Sequence, residues 1–123
     1  MDAPETQIAV EEKDSAAVLR LEGDITSFSE AVLLGTYRGL PADTYKNILL
    51  DFTKVDYINS SGIALIITML REASATGQQV HCFGLTPHFK KVFEMVGLLK
   101  YTTIHPEEEA GISALKGKEP IPQ

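Results

Sequence analysis

The segment LLDFTKVDYINSSGIALIITML, residues 49–70, decides how the rest of the chain reads. It opens inside a short apolar run, residues 47–52 (NILLDF), the pattern of a strand covered on both faces. A loop containing Lys54, Val55, Asp56, Tyr57 and Ile58 leads to Asn59-Ser60-Ser61-Gly62 and then to an apolar helix, IALIITMLREASATG, that ends at Gly77. Strand, polar loop and helix in that order put Asn59, Ser60 and Ser61 at a helix N-terminus near the carboxyl end of a sheet, where the ligand sites of open α/β folds gather. Free backbone N–H groups and the positive end of the helix dipole stabilise an anion at such a place. A phosphate on Ser60 or Ser61 would carry about −1.5 to −2 charge and would be accommodated there without melting the helix. A structural role fits the same residues: Asn59 or Ser60 as the helix cap, with Gly62 easing a tight turn.

Upstream, residues 7–12 and 16–22 read as two short strands joined by the turn-prone Lys13-Asp14-Ser15, an N-terminal hairpin. After Gly23-Asp24-Ile25, Thr26 or Ser27 suits the N-cap of a helix running to about Leu40, with Phe28, Ala31, Val32, Leu34 or Gly35 and Tyr37 or Arg38 on successive turns and Pro41 as its stop. Downstream, residues 79–84 form the next strand. Thr86 before Pro87 opens a helix with Phe89, Val92, Phe93 and Val96 as its packed stripe, closed by Gly97. Residues 101–104 are a last strand, and Pro106 with Glu107, Glu108 and Glu109 starts a final helix whose acids lie at its positive end. Strands alternating with helices at this spacing predict one α/β domain with a mixed, mostly parallel sheet, an antiparallel strand at its start and about four helices. The domain spans residues 6–116, between an N-terminal extension (1–5) and a polar, proline-punctuated tail (117–123).

The helix after Gly62 carries a second signal. Ile63, Ile66, Ile67 and Leu70 make the i, i+3, i+4, i+7 stripe that should face the sheet, yet Leu65, Thr68 and Met69 occupy the side that should be polar. The pattern fits a helix buried all round and equally a partly apolar strip exposed to a partner.

Composition narrows the function classes. The 123 residues are one domain's worth, and 44% hydrophobic content supports a core. A net charge of −6 lacks the basic character that drives phosphate-backbone binding, so nucleic acid is not expected as a partner. The acids concentrate at the two ends, five with one Lys in residues 1–14 and four with two Lys in residues 106–123, while the middle carries eight of each sign. No run approaches the roughly 18 to 20 apolar residues of a membrane span, and the acidic N-terminus is unlike a signal peptide, so a cytoplasmic protein without membrane insertion is expected. Cys82, the single cysteine, reads as a small buried residue. His81, His88 and His105 fall on three different predicted elements and read as surface or capping residues, with no metal site among them. No G-x-S-x-G surrounds Ser61, and neither GxxxxGK nor GxGxxG occurs, so neither catalysis nor a nucleotide or other cofactor is expected.

DYINSSGIAL (residues 56–65), the Gly23-Asp24-Ile25 turn after a strand, the spacing of Gly84, Pro87, Gly97 and Leu98, and the order of elements together resemble the STAS domain of bacterial anti-sigma factor antagonists. The resemblance covers roughly residues 6–116. It implies that Ser61 is phosphorylated by an anti-sigma factor that is also a serine kinase, that the unmodified protein binds that kinase and frees a sigma factor, and that a PP2C-type phosphatase reverses the modification. Asp24, Thr26, Asn59, Ser60, Gly62, Leu65 and Met69 are then the expected partner contacts around Ser61, with Asp24, Asp51 or Asp56 as charged neighbours of the phosphate. Two positions depart from the family pattern: Asn59 stands where Asp is common, and Thr26 where a carboxylate is often found. A scaffold or subunit of a stressosome or lipid-transport complex, with Ser61 unmodified, is the alternative, and a homodimer is compatible with either.

Overall fold

A two-residue hairpin turn sets the first register. Asp14 (φ 50°) and Ser15 (φ 70°) both take the left-handed conformation that a tight turn between right-twisted strands requires. They join strand β1 (Gln7–Lys13) to β2 (Ala16–Glu22), antiparallel with Lys13 opposite Ala16 and Gln7 opposite Glu22. The computed structural model describes residues 5–116. The expected tail (117–123) and residues 1–4 of the expected extension lie outside the described residues.

Three β-α-β units follow. Helix α1 (Glu30–Arg38) leads to β3 (Asn47–Lys54), α2 (Ser60–Ala75) to β4 (Gln79–Phe83), and α3 (Pro87–Met95) to β5 (Thr102–His105); α4 (Glu108–Lys116) comes after. The sheet order is β1-β2-β3-β4-β5, with β2 to β5 parallel. The mixed sheet, its antiparallel first strand and its four helices are those expected.

Strand order that advances in one direction has a packing consequence. Right-handed crossovers taken successively in the same direction deliver every connecting helix to the same face. One core accordingly joins Leu19, Leu50 and Cys82 of the sheet to Leu34 of α1, Ile66 of α2 and Phe93 of α3. The opposite face presents Ala16, Val18, Leu49 and Phe83, and Ile112 and Leu115 of α4 close over them. Beside that second core Arg20 is the hub of a charged cluster. It donates to Asp51 (3.1 Å), Glu11 (2.6 Å) and Glu108, and Lys13 also reaches Glu108, which ties β1, β2 and β3 to the start of α4. The Arg20 and Lys13 cations hold the Glu108 carboxyl down at about 2. The terminal acids Glu11 and Glu108 therefore belong to the folded body and are not a detached charge reserve.

Two helical readings need correction. The expected helix from residue 26 or 27 is a 3-10 turn (Ser27–Ser29) followed by α1, and its inward residues are Leu33, Leu34 and Tyr37. Phe28, expected on the packed face, is 96% exposed. In α3, Phe89 and Phe93 are buried as expected, but Val96 is half-exposed because the helix has ended at Met95 and Gly97 (φ 81°) turns the chain away.

Cys82 lies in the first core, and its burial pushes the thiol up to about 12. The native protein should therefore leave Cys82 unalkylated by iodoacetamide at pH 8, while protein unfolded in urea is alkylated fully. Peptide mass spectrometry distinguishes the two, and rapid labelling of the folded form would contradict this packing.

Candidate functional site

The site is built from two loops that leave neighbouring strands and stay paired beyond the sheet. Gly23, at φ 92°, turns the chain out of β2, and its N–H donates to the Lys54 carbonyl (3.1 Å). Ile25 then forms a parallel bridge with Ile58: the Ile25 N–H donates to Tyr57 O (2.9 Å) and the Asn59 N–H to Ile25 O (3.2 Å). Both isoleucines are buried, which keeps water from competing for these bonds.

Asn59 starts α2 from an extended backbone, and its Oδ1 accepts from the Gly62 N–H at 2.8 Å. Gly62 lies directly on the Ile25 peptide. A Cβ at this position would stand 2.2 Å from Ile25 O and 2.7 Å from Ile25 C. That approach fixes the rotation of the helix: Gly62, Ile66, Met69, Leu70 and Ala73 turn inward, while Ser60 and Ser61 turn outward. Both serines are exposed, and their hydroxyls have no hydrogen-bond partner among the described residues. The first-turn N–H groups of Ser60 and Ser61 have no partner within the helix, as helix starts require.

The other expected contacts divide into two groups. Asp24 and Thr26 are half-buried in the neighbouring loop. The Asp24 carbonyl accepts from Thr6 Oγ1 (2.6 Å) and Ser29 Oγ (3.3 Å). Thr26 caps the 27–29 turn, its Oγ1 accepting from the Phe28 N–H (3.2 Å) while its own N–H donates to Ser29 Oγ (2.9 Å). Leu65 is half-buried and packs on the core. Met69 and Gly62 do not belong to a contact surface. Met69 is fully buried because the inward face has rotated away from Ile63 toward Gly62 and Met69, and Gly62 is covered by Ile25. Asp51 is also misplaced by the sequence reading. It faces the α4 side of the sheet, bound to Arg20 and to the Thr53 N–H and hydroxyl, whereas α2 lies on the other side. Asp56 is exposed in the loop before Asn59.

Sequence reasoning passed over Phe28 and Tyr57, 96% and 52% exposed, one on each of the paired loops. The available signal was an aromatic placed between capping residues, Thr26-Ser27-Phe28-Ser29, where a turn has no inward face for it. It also kept the histidines apart. His81 is buried on the α4 face of β4, and its Nδ1 lies 2.9 Å from His105 Nε2 on β5, with burial lowering the pKa of His105. His88 is exposed beside the Phe89 ring. Among the described residues no three His, Cys, Asp or Glu side chains are grouped to hold a metal ion, and no helix is long and apolar enough to cross a membrane.

Comparison with known proteins places this geometry. A protein-family model described as Mlab, STAS domain, matches residues 8–104. BtrV of Bordetella bronchiseptica, named as an anti-sigma factor antagonist, is 24% identical over 111 residues, 89% of this chain and 95% of that one. Among solved structures, an anti-sigma factor antagonist from Mycobacterium paratuberculosis superposes with a TM-score of 0.78 at 17% identity, covering 91% of this chain and 95% of the other. The phosphorylated form of the Bacillus cell fate determinant SpoIIAA gives 0.65 at 23% identity, covering 85% and 96%. At these identities the solved structures attest the fold.

Proposed function

The chain belongs to the STAS domain family, and we propose that it is an anti-sigma factor antagonist whose unmodified form binds an anti-sigma factor with serine-kinase activity and so releases a sigma factor. Phosphorylation of Ser61 switches the binding off, and a PP2C-type phosphatase restores it. The observation that carries this reading is the presentation of Ser61: exposed, its hydroxyl uncommitted among the described residues, on a helix start held by the Asn59 cap and the Gly62–Ile25 contact. A kinase reaches such a hydroxyl without unfolding anything. The relatives named as anti-sigma factor antagonists, and the existence of a phosphorylated SpoIIAA, support the same reading.

Asn59, where Asp is common in the family, keeps the helix cap intact. The cap needs an oxygen acceptor, which the Asn59 amide supplies without placing a carboxylate at position 59. Thr26 likewise does its work as a neutral cap. The phosphate itself is strongly hydrated and doubly charged, so a partner packed on the helix start would have to strip its water or stand off.

Ser61→Asp should weaken binding of the kinase-type anti-sigma factor by about five- to 150-fold, while Ser61→Ala retains it; titration calorimetry with the purified partner reads both. Equal affinity for wild type, Ser61→Asp and Ser61→Ala would sink the switch. Intact-mass measurement of protein from its own cells should show a +80 Da species mapping to Ser61. Its absence under all growth and stress conditions would leave a permanently bound scaffold as the better reading.

A further inference from the structure

We infer that Phe28, with Tyr57 on the loop paired to its own, is the hydrophobic anchor on which the Ser61-directed protein partner docks; this rests on the reading of Ser61 given above. An aromatic side chain that is 96% exposed gains nothing for folding, and a flexible loop would let it collapse onto the nearest apolar surface. Here the backbone prevents collapse. The 27–29 turn is closed by the reciprocal Thr26 and Ser29 bonds, Ser29 is buried, and its hydroxyl contacts Thr6 Oγ1, which in turn donates to Asp24 O. Phe28 is thus held out in water by a fully bonded turn, the preorganisation that lowers the cost of binding through an aromatic residue.

The position names the occupant. The turn packs against α2, and its loop is locked to the Tyr57–Asn59 segment by the Ile25–Ile58 bridge. Phe28, Tyr57 and Ser61 therefore move as one body. A stable protein–protein contact covers about 800 Å² on each partner, a patch roughly 30 Å across. A protein that brings a catalytic group to Ser61 Oγ with such a footprint also covers Phe28 and Tyr57. Its matching surface is an apolar pocket able to take a phenyl ring. The exposed Met95 and Leu99, at the far end of α3 and beyond it, belong to neither paired loop and provide an internal control.

The test introduces the photo-crosslinking residue benzoylphenylalanine in the full-length protein, in its own cells, at position 28, 57, 64 or 95. Ala64 is exposed on α2 one turn beyond Ser60 and reports the Ser61 contact itself. Adducts from positions 28, 57 and 64 to one kinase-type protein, lost when Ser61→Asp is added, and none from position 95, are expected. With that protein purified, Phe28→Ala should raise Kd by at least about tenfold, and Met95→Ala by less than about twofold. An adduct from position 64 with none from 28 and 57, or a Phe28→Ala affinity equal to wild type, overturns the anchor and leaves the switch standing. No adduct from any position removes both. Phe28→Ala touches no core residue, so an unchanged thermal midpoint should accompany the lost affinity.

Discussion

Gly62→Ala is expected to destabilise the domain by about 3 kcal/mol or more, a loss of roughly 10 °C in thermal midpoint. The added methyl would stand 2.2 Å from Ile25 O and 2.7 Å from Ile25 C, and the obstacle is backbone that cannot swing aside like a side chain. That same carbonyl accepts the Asn59 N–H, so moving it also loosens the helix cap. Gly35→Ala, in α1, is the matched control. Nothing lies within 4 Å of its added Cβ, and the helix gains about 0.5–1 kcal/mol. Urea denaturation of the two variants should therefore move the midpoint in opposite directions. A Gly62→Ala protein as stable as wild type would show that α2 does not rest on Ile25.

Arg20→Met should cost about 3 kcal/mol at pH 7. Asp51 has a side chain only 10% exposed and Glu108 one 19% exposed, and the substitution leaves both facing the space the guanidinium filled. Glu11, 57% exposed, loses little. The penalty carries a pH signature. Glu108 is held down at about 2 in the folded protein against an ordinary value of 4.5, so its contribution is complete above about 4.5 and disappears as pH falls toward 2. Wild type should lose stability across that window, whereas Arg20→Met, having less to lose, changes less there. Denaturation midpoints that stay the same distance apart from pH 7 to pH 2.5 would refute the assignment.

The sequence made the frame legible because the frame is built from local signals. The Asn59 and Thr86 caps, the Lys13-Asp14-Ser15 turn and the apolar run at residues 47–52 each act within a few residues, and each stands where it was expected. Helix rotation was less legible. Ile63, Ile66, Ile67 and Leu70 make a valid stripe, but the contact between Gly62 and Ile25 links positions 37 residues apart and turns Met69 inward instead. The exposure of Phe28 and the contact of His81 with His105 are set in the same non-local way. Whether Phe28 faces inward depends on three residues forming a 3-10 turn, and whether His81 meets His105 depends on β4 and β5 lying side by side. The exposure of Ser61 follows from local signals, because it stands second in a capped helix whose third residue, Gly62, is the one turned inward.

The one-sided placement of α1, α2 and α3 also governs the order of events at the ribosome. Each strand from β2 to β5 adds beside the one made just before it, so the first core can begin to assemble while synthesis continues at about 5–20 residues per second. Leu49 and Phe83 have no such cover until α4 has emerged. A nascent chain that has completed β5 but not α4 presents a sheet with one dry face and one wet apolar face. That intermediate is the species a chaperone would hold and a protease would clip, and docking of α4 ends it.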